Sequence, residues 1–207
     1  MLVNKILKIF AYSCILFLVS CAGLEPLSPA DKNQVHTIAV NQDVLYPDTI
    51  SYSGPYFHDP SEKFKFFFGP MNQLDEPIIL AAVKKNNIRI DQIVRDEFIT
   101  AINQQPGLHV VDANADATLR VIVHSYGFQA PGNLGDYLAA GVKPLLDVRA
   151  DLIRHGQVIW HGRDYVTPMH TESKVYPILE LMAKPELMAA AWRAPAKEIA
   201  QNFSKQL

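Results

Sequence analysis

Apolar and polar positions alternate along several short segments of this chain. Leu146, Val148, Ala150 and Leu152 share one side of an extended segment, and Leu119, Val121 and Val123 do the same within Ala117–His124. Strict alternation places successive side chains on opposite faces of a half-buried strand. Val35–Val40 and Leu108–Val111 read as two further strands. A different period governs 90–102, where Ile90, Val94, Phe98, Ala101 and Ile102 recur at helical spacing and Pro106-Gly107 ends the helix. Asp91 is its expected N-cap. Ile78–Lys85 reads as a short helix. Val175–Ala183 and the stripe Leu187, Met188, Ala191, Trp192, Ile199 and Phe203 form a helical tail that Pro195 kinks or divides.

The late hairpin has a predictable register. A three-residue loop at Arg154-His155-Gly156 pairs Leu152 with Val158 and Ala150 with Trp160, which keeps the apolar residues on one face. A two-residue loop would split that face. The pattern predicts an α+β domain: a mixed or mainly antiparallel sheet of about four to six strands with helices packed on one face.

Two regions break the periodicity. Residues 130–144 hold Pro131, Gly132, Gly135 and Gly141 and read as a mobile connection. Residues 41–76 combine prolines with a dense aromatic set between Tyr46 and Phe68. More rings are present than one strand pair needs to bury. The candidate partner surface is therefore Tyr46, Tyr52, Tyr56, Phe57 and Phe67, since aromatic residues are enriched at interface cores.

The N-terminus carries the strongest signal. Lys5 and Lys8 precede an apolar run, Ile9–Val19, too short for a comfortable membrane span. The run ends in Leu18-Val19-Ser20-Cys21, which resembles the bacterial lipobox. That resemblance implies cleavage before Cys21 and acylation of its thiol and new amino group. The expected organisation is a signal peptide over 1–20, a lipidated polar tether over 21–34, and a single periplasmic domain over 35–207. The mature part has 17 Lys+Arg against 21 Asp+Glu, net −4, with no long run of one sign. Nucleic acid is not an expected partner. Cys14 leaves with the signal and acylation consumes Cys21, so no intramolecular disulfide is expected.

Candidate chemistry is sparse. Seven histidines show no His-x-x-x-His or Glu-x-x-His spacing, so neither metal nor cofactor is expected. No Gly-x-Ser-x-Gly elbow is present. Asp112 and Asp116 read as turn formers, not as a catalytic pair. The expectation is a protein that is not an enzyme.

Ala115-Asp116-Ala117 leading into the strand Leu119–His124, and Gly156-Gln157-Val158-Ile159-Trp160 in the hairpin, resemble a module of bacterial envelope lipoproteins. The similar proteins are the curli-export lipoprotein, the penicillin-binding-protein activator lipoproteins and the N-terminal domain of the Tol-Pal propeller protein. The resemblance spans roughly residues 88–165 and implies a fold and a compartment, not a reaction. Ala22, where an aspartate would signal inner-membrane retention, implies the outer membrane, facing the periplasm. The leading expectation is an accessory or assembly subunit of an envelope machine with a protein partner. The alternative is a small-ligand or lipid carrier.

Overall fold

The structure, a computed structural model, describes residues 24–54, 76–131, 141–167, 169 and 173–207. Among these residues seven strands form one mixed sheet: β1 (Thr37–Val40), β2 (Ser51–Ser53), β3 (His109–Val110), β4 (Ala117–Gln129), β5 (Gly141–Arg154), β6 (Gln157–Val166) and β7 (Tyr176–Pro177). The main order is β3-β1-β4-β5-β6. Long β4 and β5 pair antiparallel, as do β5 and β6. In contrast, β1 runs parallel to both β3 and β4, and β2 runs parallel to the far end of β4. Among the described residues five helices accompany the sheet: α1 (Pro29–Lys32), α2 (Glu76–Lys85), α3 (Ile90–Asn103), α4 (Ile178–Ala183) and α5 (Pro185–Ser204).

The α+β class and the helix-covered face agree with the sequence pattern. Ile90, Val94, Phe98 and Ile102 of α3 are buried, as are Met188, Trp192, Ile199 and Phe203 of α5. Ala191, Ala196 and Ala200 are fully buried and let α5 approach its neighbours closely. Phe203 joins both layers, with ring centroids 5.5 Å from Phe98 and 5.6 Å from Trp160. Trp192 lies 4.7 Å from Phe128 and 5.6 Å from Tyr126. Burying such rings removes 150–250 Å² each from water, as is typical of large aromatics.

Several local expectations are corrected. The hairpin turns on two residues, His155 and Gly156, at φ 50° and 79°. Two successive left-handed residues suit the twist of a tight hairpin. Leu152 therefore pairs with Trp160 and Ala150 with Gly162, while Ile153 pairs with Val158. Ile159 is the extra residue of a bulge, and the bulge restores the common apolar face that a plain two-residue loop would split. Trp160 is nonetheless core, 5 % exposed. The cap of α3 lies two residues earlier than expected, at Arg89, with Asp91 inside the first turn. Pro195 neither ends nor divides α5. Of the connection 130–144, residues 141–144 belong to β5, paired with β4 through Pro144 and Phe128; 132–140 lie outside the described residues.

The polar segment before β1 is also corrected. Its described part, 24–34, is docked and not a free tether. Leu27 is buried, and its N–H donates to the Gln206 carbonyl at 2.8 Å. The Trp160 indole Nε1–H donates to the Glu25 carbonyl at 2.7 Å.

Candidate functional site

Tyr46 follows β1 in a polar turn, and its ring stands edge-on to Tyr126 at 6.3 Å. Leu45 forms an isolated bridge to Ile122, which holds this turn against the edge of β4. The two side chains stay exposed, Leu45 at 60 % and Tyr46 at 42 %. Tyr52, in contrast, is 4 % exposed in β2 and belongs to the core, so its place in the partner surface is corrected. β2 lies so close to β4 that a Cβ at Gly127 would sit 1.8 Å from the Ser51 carbonyl oxygen. Only glycine permits that approach. Tyr56, Phe57 and Phe67 lie outside the described residues, as does Cys21.

Beside Tyr46 is a cavity of about 210 Å³, walled by α2, the start of α3 and the middle of β4. Leu80, Val83 and Ile88 are apolar wall; Asp48, Lys84 and Arg89 are polar rim. Tyr126 closes the floor. Its side chain is 2 % exposed, and its hydroxyl has no hydrogen-bond partner among the described residues. Burial, reinforced by Tyr46 and Asp48, pushes this phenol up to about 12. It therefore stays protonated at physiological pH and can donate a hydrogen bond, but it cannot serve as a base. Arg89 is not a free cation. Its Nε–H donates to Asp91 Oδ1 at 3.0 Å in a bidentate pair. Burial pushes the Asp91 carboxyl up, but the Arg89 bonds and charge together with backbone N–H groups such as that of Gln92 outweigh it and hold the group below its usual range. A second hollow of about 300 Å³ shares Asn87, Ile88 and Arg89 and extends over Asp96, Glu186 and Arg193.

The face of the sheet away from α3 and α5 is charged. Asp151 is fully buried there beneath two half-exposed arginines, accepting from Arg120 Nη2 at 2.6 Å and Arg149 Nε at 3.0 Å. Burial raises the Asp151 carboxyl; the two guanidinium bonds lower it further, and the net direction is down. Arg163 and Asp147 make a parallel pair on β6 and β5. Asp116, read as a turn former, does more. Its Oδ2 accepts from the N–H groups of His36 and Thr37 and from the Thr37 hydroxyl, at 2.8–2.9 Å, and so fastens β1 to β4.

Among the described residues no three His, Cys, Asp or Glu side chains are grouped as a metal site would need. The described histidines are dispersed: His36 precedes β1, His155 forms the hairpin tip, His161 follows Trp160, and His109 and His124 lie on separate strands. The cavity is what sequence reasoning missed. Its walls come from 46–48, 80–90 and 126, and no local spacing links them.

No family model matches the chain, and no curated protein matches it. Solved structures do. A protein from Xanthomonas campestris described by the family model DUF330 is 11 % identical, with 88 % of this chain and 89 % of that chain covered and a TM-score of 0.45. The PelC dodecamer from Paraburkholderia phytofirmans is 10 % identical over 87 % of this chain and 93 % of that chain, TM-score 0.34. A lipoprotein candidate from Caulobacter crescentus is 17 % identical over 57 % and 76 %, TM-score 0.32. At these scores the likeness carries no functional argument, and the narrower resemblance to the curli-export, activator and propeller-protein group stays an expectation.

Proposed function

We propose that the chain is an outer-membrane lipoprotein, anchored by acyl groups on Cys21 and facing the periplasm, that serves as a non-enzymatic accessory or assembly subunit of an envelope machine. The carrying observation is the sequence Leu18-Val19-Ser20-Cys21 at the end of a short apolar run. Among the described residues no helix is long and apolar enough to cross a membrane, which is compatible with attachment by lipid. Leu45 and Tyr46 supply an exposed apolar pair for a protein partner. The test is fractionation with partner capture. The native chain should partition with the outer membrane and bring a defined envelope protein through mild detergent. Cys21→Ser should stay as an uncut precursor, and Tyr46→Ala should lose the partner while keeping its melting temperature. A Cys21→Ser chain that is still cut and still found in the outer membrane contradicts the reading.

One observation favours the carrier alternative. Tyr126 lines a hollow with apolar walls, and its hydroxyl has no hydrogen-bond partner among the described residues. At about 210 Å³ the hollow falls below the roughly 300–1,000 Å³ of typical ligand pockets, so it suits a small polar molecule and not a lipid.

A further inference from the structure

We infer that the domain does not hang from its anchor on a tether: the docked N-terminal strap holds the β6 edge of the sheet against the headgroup surface of the bilayer that holds the chain's own acyl groups. This inference rests on acylation of Cys21, proposed above. The strap is fixed at three points. Leu27 is buried, with its N–H on the Gln206 carbonyl. The Glu25 carbonyl accepts the Trp160 indole. Leu24 packs so near Gly162 that a Cβ there would meet its methyl group at 2.8 Å. Cys21 is three residues before Leu24, and three residues span at most about 11 Å when fully extended. The lipidated residue must lie within that distance of Leu24, which packs on β6.

β6 is an end strand of the main sheet order, and β3 is the other end. Four strand spacings of about 4.8 Å separate them, or roughly 19 Å. A sheet that stands on its β6 edge therefore keeps the β3 edge farther from the bilayer. Charge on and near the strap is mixed, with Glu25, Asp31 and Lys32 on it and Lys205 next to its partner Gln206. Covalent reach, and not electrostatic attraction, sets the proximity, so added salt should leave it unchanged.

The experiment uses the mature chain purified from membranes and reconstituted in phosphatidylethanolamine/phosphatidylglycerol vesicles that carry an acceptor dye on the headgroups. Acylation consumes the Cys21 thiol, so a donor dye can be placed through His161→Cys on β6 or His109→Cys on β3, both exposed positions. The expected result is a donor–membrane separation shorter by about 15 Å at 161 than at 109. Ten Gly/Ser residues inserted between Gly23 and Leu24 should erase the difference, because such a linker spans about 17 Å on average. Equal separations in an acylated chain overturn the inference and leave the lipoprotein reading intact. A difference that survives the insertion also overturns it. A chain without acyl groups by mass overturns both.

Discussion

The two faces of the sheet are built on opposite principles. The face under α3 and α5 is dry and aromatic, with Trp192, Phe128, Phe203, Phe98 and Tyr126 in contact. The other face exposes Arg120, Arg149 and Arg163 over the carboxylates of Asp151 and Asp147. Alternation along β4 and β5 produces both faces from the same strands, since Leu119, Val121 and Val123 point one way and Arg120 the other. The first face is held by area removed from water. The second spends charged groups on a sheet surface that an ordinary soluble domain could cover with any polar residue. Burial of Asp151 there carries a cost that only its two arginines offset.

The contrast can be broken first on the covered face. Trp192→Ala should destabilise the domain by about 3–5 kcal/mol, since it empties a fully buried site and strands the Gly127 carbonyl that accepts its indole at 3.0 Å. Denaturant titration would show it; a loss under about 1 kcal/mol would mean that Trp192 is not central to the core. On the charged face, Arg120→Ala with Arg149→Ala should cost nearly as much, about 3 kcal/mol, because it leaves a buried carboxylate unpaired. The pH dependence has a definite sign. The folded Asp151 carboxyl is held below its unfolded value, so its contribution is complete above about pH 4 and is lost as pH falls through the folded value. Asp151→Asn should flatten that acid limb, as thermal melts between about pH 2 and 6 would show.

Smaller effects sharpen the picture. Gly127→Ala should cost about 1–3 kcal/mol and detach β2, with loss of amide protection at 51–53. Arg163→Ala should cost at most about 1 kcal/mol, since Arg163 is largely exposed and its pair with Asp147 is a surface pair. A large loss from Arg163→Ala would show that the charged ladder acts as one network.

Much of this organisation was legible in the sequence. Local alternation gave β4, β5 and their shared apolar side, and the 3.6-residue period gave α3 and the tail. What failed depended on distant partners or on one inserted residue. Ile159 shifts the hairpin register through a bulge that pattern matching does not contain. The parallel pairing of β1 and β2 with β4 joins segments about 80 residues apart, and Asp116 fastens β1 through backbone N–H groups that no motif announces. The segment 24–34 reads as a tether because Leu24 and Leu27 are its only large apolar residues; their partners, at Gly162 and Gln206, lie far along the chain. The Tyr126 cavity assembles from three separated stretches, so only Tyr46 among its residues stood out, and for its aromatic neighbours in sequence.

The central claim is that the chain works from a membrane on its own lipid. The most direct measurement is the mass of the N-terminal peptide of the mature protein isolated from the membrane fraction. The account predicts a peptide that begins at Cys21 and carries acyl groups on both its sulfur and its amino nitrogen. A mature chain that begins elsewhere, or that begins at an unmodified Cys21, would contradict it.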